Sequence, residues 1–161
     1  MKSYRKIFPS FQWEDKWFVN QILNLPSILG AKEMHFISGV PPEEVKSSDD
    51  AIKKWIDESM SGCSCLILFV GETTYQSKWV KYELQKARKE NLGRFEIWLT
   101  GMKDQNGNPC GEGLDPYAVH GMYAPPGTTD GYVIKHYQWL AHDGLHNIGN
   151  WIEDACERAG K

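Results

Sequence analysis

The sequence lacks most of the features that mark a special class of protein. Its four cysteines, Cys63, Cys65, Cys110 and Cys156, form no C-x-x-C pair and no zinc spacing. Free thiols in a reducing cytoplasm are therefore expected, with a disulfide pair left open but without support in the spacing. No apolar run reaches the roughly 18 residues of a membrane span. The longest, residues 65–71, is strand-sized. No apolar stretch follows the basic residues Lys2, Arg5 and Lys6, so no secretory leader is expected. The formal net charge of −3 gives no electrostatic case for nucleic acid or an anionic membrane as partner. Repeats, low-complexity tracts, a Walker A lysine motif and a nucleophile elbow are all missing. Gly107, Gly111 and Gly113 lie in a long loop, not in a tight strand-to-helix turn, and so make no dinucleotide fingerprint.

What is present is the material of one domain, residues 1–161. The chain is 41% apolar and 24% charged, and long enough to bury a real core. A first strand is expected over residues 4–11, with Pro9 leaving its end only partly paired. An amphipathic helix over 14–25 presents Trp17, Phe18, Ile22 and Leu25 and stops at Pro26. A short strand, 34–37, precedes a loop with Pro41 and Pro42. Ser48 can cap the next helix, whose first turn holds Asp49 and Asp50 and whose stripe is Ile52, Trp55, Ile56 and Met60. Residues 65–70 read as a continuous apolar strand at the sheet centre. Ser77 can cap a helix with Val80, Leu84 and Ala87 on its core side. A fourth strand over 95–99 is followed by an irregular stretch, 100–131, whose length marks it as a candidate lid. A strand over 132–137 and a helix over 147–159 end the chain. Strands alternating with helices imply a mainly parallel, five-stranded α/β sandwich with the site at the carboxyl ends of the strands.

The densest cluster of candidate chemistry lies on the helix after the central strand. Trp79 and Glu83 are four residues apart, so they share one face, an aromatic platform beside a carboxylate. Ser10 and Phe11 end the first strand, where a parallel sheet opens its ligand crevice. A hydroxyl there can bond a ribose or phosphate oxygen, and an aromatic ring can stack on a base. Each residue also has a plainer use: a solvated helical glutamate, a core aromatic, a loop hydroxyl. His142 and His146 stand at i and i+4, but the intervening Asp143-Gly144 favours a turn and no third ligand is suitably spaced. No metal is expected.

Several segments carry a resemblance. FPSFQWED, residues 8–15, resembles the first strand and following loop of TIR domains. AIKKWIDESMSGCSCLILFVGETTYQSKWVKYEL, residues 51–84, is similar to their second helix, third strand and third helix. KDQNG at 103–107 and HDGLHNIGNWIEDA at 142–155 resemble the TIR-like family that includes the B component of the Thoeris antiphage defence system. The resemblance covers nearly the whole chain. It implies a flavodoxin-like fold and cleavage of NAD, as substrate and not as resident cofactor, at the nicotinamide–ribose bond. It implies Glu83 as the catalytic carboxylate and Ser10, Phe11 and Trp79 as substrate-binding residues. The product would be an ADP-ribose-derived signal, cyclic or otherwise, that activates a separate effector protein after a phage-derived trigger, with a homo-oligomer as a further possibility. QWED departs from the family: the basic residue common in that loop is missing, and Lys78 and Lys81 are the candidate substitutes for pyrophosphate binding. Two rivals stay open. TIR domains also serve as non-catalytic scaffolds, for which Trp13 and Trp17 would form a contact. A nucleoside or deoxyribosyl transferase would use the same fold.

Overall fold

A computed structural model describes residues 4–123 and 131–161. Its five strands are β1 (Arg5–Ser10), β2 (Met34–Phe36), β3 (Cys65–Val70), β4 (Gly93–Trp98) and β5 (Lys135–Gln138). They form one sheet in the order β2-β1-β3-β4-β5, with every pairing parallel. All six residues of β3 are buried, as a central parallel strand requires.

The helices are α1 (Lys16–Leu23), α2 (Pro26–Leu29), α3 (Asp49–Met60), α4 (Lys78–Lys89), α5 (Pro116–Val119) and α6 (Gly144–Arg158). Side chains alternate across each strand, so the sheet feeds two cores. Ile7, Ile67, Phe69, Phe95 and Ile97 pack on one face against Val19 and Ile22 of α1 and Ile148, Ile152 and Ala155 of α6. Phe8, Leu66, Leu68 and Val70 pack on the other against Ile52 and Ile56 of α3 and Val80 and Leu84 of α4. The result is the three-layer α/β sandwich expected. Ser48 and Ser77 cap α3 and α4, accepting from the amides of Ala51 at 3.1 Å and Val80 at 3.2 Å.

Several boundaries differ from expectation. The helix expected over 14–25 is a 3-10 turn, Trp13–Asp15, followed by α1, and Trp17 points to solvent. Pro26 does not end that region but opens α2 at its first position, where a missing N–H costs nothing. The final helix begins earlier than 147, because Gly144 lies against the Trp139 ring, where a Cβ would stand 2.0 Å from Cε3. Asp143 before it is left-handed, with φ of 51°, so the turn read at Asp143-Gly144 becomes the helix start. The stretch after β4 is not structureless: Lys103 and Pro109 form an antiparallel bridge, and α5 follows. Residues 124–130 of it lie outside the described residues.

At β1 the ladder is one-sided past its middle. The β2 strand pairs only with Arg5 to Ile7, whereas β3 pairs as far as Ser10. Pro9 therefore lies beyond β2, as its missing N–H predicts. The four cysteines are free and buried. Among the described residues no helix is long and apolar enough to cross a membrane.

Candidate functional site

Strand alternation separates Ser10 from Phe11. Ser10 faces α4, and its hydroxyl donates to Glu83 Oε1 at 2.9 Å. Phe11 packs into the opposite core, with α1. The α4 helix carries Glu83 on its buried side, between Val80 and Leu84. Ser10 is 0% exposed and Glu83 is 2% exposed. Burial pushes the Glu83 carboxyl well above the usual carboxylate range, and the Ser10 hydroxyl only partly opposes the shift. Burial thus favours the neutral form of the acid inside the apolar layer.

At the open end of β1, from Phe11 onward, lies a cavity of about 400 Å³, which neither Ser10 nor Glu83 lines. Phe11, Trp13 and Lys16 line one side, and residues 37–43 with Lys46 line the other. Its form follows from the one-sided ladder, because the chain after β2 leaves the sheet at Ile37 and turns around the end of β1. Gly39 runs so close to that end that a Cβ would meet the Pro9 carbonyl oxygen at 2.3 Å and Phe11 Cε1 at 2.7 Å. Lys46 Nζ sits 5.0 Å from the centre of the Trp13 ring and pairs with Glu43 at 2.8 Å. The cavity thus offers two aromatic rings and two ammonium groups to a ligand.

A second acid stands at the same edge. Asp15 lies against the backbone of Gly71, just past β3, where a Cβ would meet Asp15 Oδ2 at 2.3 Å. That oxygen is buried without a hydrogen-bond partner among the described residues. Burial, with Glu14 and Glu72 nearby, pushes the Asp15 carboxyl up to about 6. The long loop closes over this end of the sheet: the Gly111 amide donates to Glu72 Oε1 at 2.7 Å, and Gly113 packs on the Gly71 carbonyl.

The structure brings together some of the residues singled out in the sequence and separates others. Ser10 and Glu83 meet directly. Phe11 walls the cavity from the other side of the strand. Trp79 is half-buried and turned toward Tyr82, their rings edge to face at 6.4 Å, with Lys78 Nζ 4.9 Å from its ring centre. It packs on the α3–α4 core and does not line this cavity. Lys78 is engaged by Asp49 at 2.8 Å, and the cations at the cavity are Lys16 and Lys46. Neither was legible in the sequence, since a lone lysine in a loop or a first helical turn has no signature. His142 Nδ1 accepts from the Gln138 amide at 2.7 Å while His146 pairs with Asp143 at 2.8 Å, so the two rings do not share a ligand.

Comparison with known proteins adds two findings. The family model "Thoeris protein ThsB, TIR-like domain" matches residues 8–104, a span that holds the end of β1, the cavity residues, Ser10 and Glu83. The chain is also 24% identical over 153 residues to a protein of Bacillus cereus (strain MSX-D12) named "Putative cyclic ADP-D-ribose synthase ThsB1". That similarity covers 92% of this chain and 74% of the relative.

Proposed function

The chain belongs to the Thoeris ThsB TIR-like family, and from that premise we propose that it cleaves NAD at the nicotinamide–ribose bond and converts the ADP-ribose part into a signal nucleotide. The observation that carries the reading is the buried Ser10–Glu83 pair at the carboxyl end of β1, where the next residue, Phe11, walls a cavity that also holds Trp13, Lys16 and Lys46. The relative's name supports the NAD-derived product class.

The chemistry follows from the charge of each partner. The nicotinamide ring of NAD is cationic while attached and leaves as a neutral amide, taking the electron pair of the C–N bond. Positive charge then collects on ribose C1. A carboxylate fixed beside that carbon stabilises the charge in the transition state. Burial favours the neutral form of Glu83 in the free protein, but a cationic ring brought alongside favours its ionised form, and its proton departs as substrate binds. Ser10 keeps the carboxylate aimed. Phe11 and Trp13 offer faces for a base, and Lys16 and Lys46 offer charge for the pyrophosphate. Attack on C1 by a ring nitrogen of the same molecule gives a cyclic product; attack by water gives linear ADP-ribose and a proton. The first outcome needs water kept from C1, and the loop fastened to Glu72 is placed to do this.

NAD serves here as substrate, and the signal acts on a separate effector. The buried state of Glu83 fits an enzyme that opens only on assembly or on a phage-derived trigger. A second reading, a protein-interaction scaffold, is favoured by one observation, the exposed Trp17 on α1. One experiment decides between them: the protein is incubated with NAD, with and without lysate of infected cells, and products are read by mass spectrometry. Release of nicotinamide with a cyclic or conjugated ADP-ribose supports the enzyme. Intact NAD under both conditions leaves the scaffold.

A further inference from the structure

Strand β4 carries a carboxyl in the wrong solvent. Glu96 is 0% exposed and lies on the face that packs toward α3 and α4. Cross-strand register places it beside Leu68 of β3 and His136 of β5. Asp115, the residue before α5, reaches the same spot. One ligand atom from each of Glu96, Asp115 and His136 lies within 4.8 Å of the other two. On the same face Ser10 stands two strands away, about 10 Å at the spacing of a sheet, so the cluster is separate from the Ser10–Glu83 pair.

Counting protons shows what the cluster lacks. The Tyr123 hydroxyl donates to Asp115 Oδ2 and lies 3.0 Å from His136 Nε2. A phenol has a single proton. With that proton given to Asp115, the oxygen accepts from His136 Nε2–H. In the neutral ring Nδ1 then carries a lone pair, and it faces Glu96 Oε2 at 3.0 Å. That oxygen already accepts from the Trp98 indole at 2.8 Å. The other carboxyl oxygen of the same residue, Oε1, is buried with no hydrogen-bond partner among the described residues. Two electron-rich atoms thus point at each other, beside a bare oxygen and a second carboxyl. A proton between Nδ1 and Oε2 would settle that contact, and a second proton would be needed between the Glu96 and Asp115 carboxyls, which also meet. A doubly charged ion serves all three residues.

We propose that Glu96, Asp115 and His136 bind a divalent transition-metal ion of the zinc and manganese class. The donor set selects the class: imidazole nitrogen suits zinc and its neighbours over magnesium or calcium, and the absence of thiolate argues against softer ions. Ligands about 2.1 Å from a zinc ion stand about 3–4 Å from one another, inside the limit that these atoms meet. Outer contacts are already in place. Tyr123 fixes the tautomer of His136 through Nε2, and Trp98 orients Glu96, the roles that second partners play around metal ligands. The approach is open, because His136 is 44% exposed and lines a cavity of about 270 Å³ with Glu112 and His142. Bound there, the ion would tie β4, β5 and the segment leading into α5 into one unit.

The test uses the whole chain stripped of metal with a chelator, then titrated with Zn²⁺ by calorimetry and with Co²⁺ by visible absorption. One ion per chain is expected, with cobalt bands of nitrogen and oxygen coordination and a higher melting temperature. Glu96→Gln and His136→Gln should each weaken binding by at least ~10-fold, the lower end of what losing even a supporting group costs. His146→Gln should leave it unchanged. If Glu96→Gln fails to fold, His136→Gln, at a half-exposed side chain, carries the decision alone. Wild-type binding no tighter than that of His136→Gln means that a shared proton is all the cluster holds, and the proposal fails. It fails equally if His146→Gln weakens binding as much, since the ion then sits elsewhere.

Discussion

The Ser10 hydroxyl and the Glu83 carboxyl, 73 residues apart in sequence, are joined by a 2.9 Å hydrogen bond inside the core. The bond favours the charged acid and burial favours the neutral one, and burial prevails. Glu83→Gln keeps the shape and can keep the contact to Ser10, but it cannot ionise. Nicotinamide release should fall ~10²-fold or more, the scale of losing one preorganised electrostatic group. Stability should respond in the opposite sense. A carboxyl whose folded value is raised stabilises below its ordinary 4.5, and that contribution is lost as pH rises toward the folded value. The glutamine variant lacks this loss, so urea melts at pH 8 should find it at least as stable as wild type. An equal loss of stability at pH 5 and pH 8, with turnover retained, would remove Glu83 from both roles.

Ser10→Ala takes away the hydrogen bond that opposes burial at Glu83, so the acid should become harder to ionise. The rising limb of kcat/KM against pH should move to higher pH while activity at its plateau changes less. Losing a buried hydrogen bond should also cost about 1–3 kcal/mol of stability. A pH profile that coincides with wild type would show that Ser10 does not tune the acid.

Asp15 is a separate acid with a readable titration. Its folded value, about 6, stands above its ordinary 3.8. Its contribution to stability is full below 3.8 and is lost as pH rises through 6. Asp15→Asn should therefore gain on wild type between pH 4 and pH 7 and gain no more beyond. Thermal melts across that range provide the measurement, and a constant difference at every pH would contradict it.

Gly39→Ala tests the cavity without touching an acid. The added methyl would meet the Pro9 carbonyl and the Phe11 ring, so residues 37–43 must shift outward. Overpacking of this kind costs typically about 1–3 kcal/mol. NAD affinity should fall more than kcat if Phe11 and Lys46 hold the nucleotide. Unchanged KM in a destabilised variant would place the nucleotide elsewhere.

Much of this was legible along the chain. The β3 strand, the caps Ser48 and Ser77 and the stripes of α3 and α4 follow from local pattern, because burial there repeats with a fixed period. Glu83 and Ser10 could be marked singly, and the resemblance put them in one site. Their hydrogen bond could not be read, since it depends on how α4 settles on β1. Phe11 was grouped with Ser10 by proximity in sequence, although period-2 alternation sends neighbours to opposite faces. Glu96, Asp115 and His136 left no trace, because their meeting is made by the register of β4 with β5 and by a loop that doubles back. The signal available was a pair of charged residues, Arg94 and Glu96, alternating with apolar ones in β4.

Pro9 gives the end of the sheet its permanence. On β1 the odd-numbered residues face β2: the Arg5 amide donates to Glu33 O at 2.7 Å, and Ile7 O accepts from Ile37 at 3.0 Å. The next donor on that side would be residue 9, which has no hydrogen to give. Zippering of β2 along β1 therefore halts one step before it would draw residues 37–43 inward and erase the hollow between them and Phe11. A vacancy kept by contacts can relax whenever those contacts loosen. This one is kept by a bond that the chain is chemically unable to make, so its mouth should stay ajar with or without an occupant.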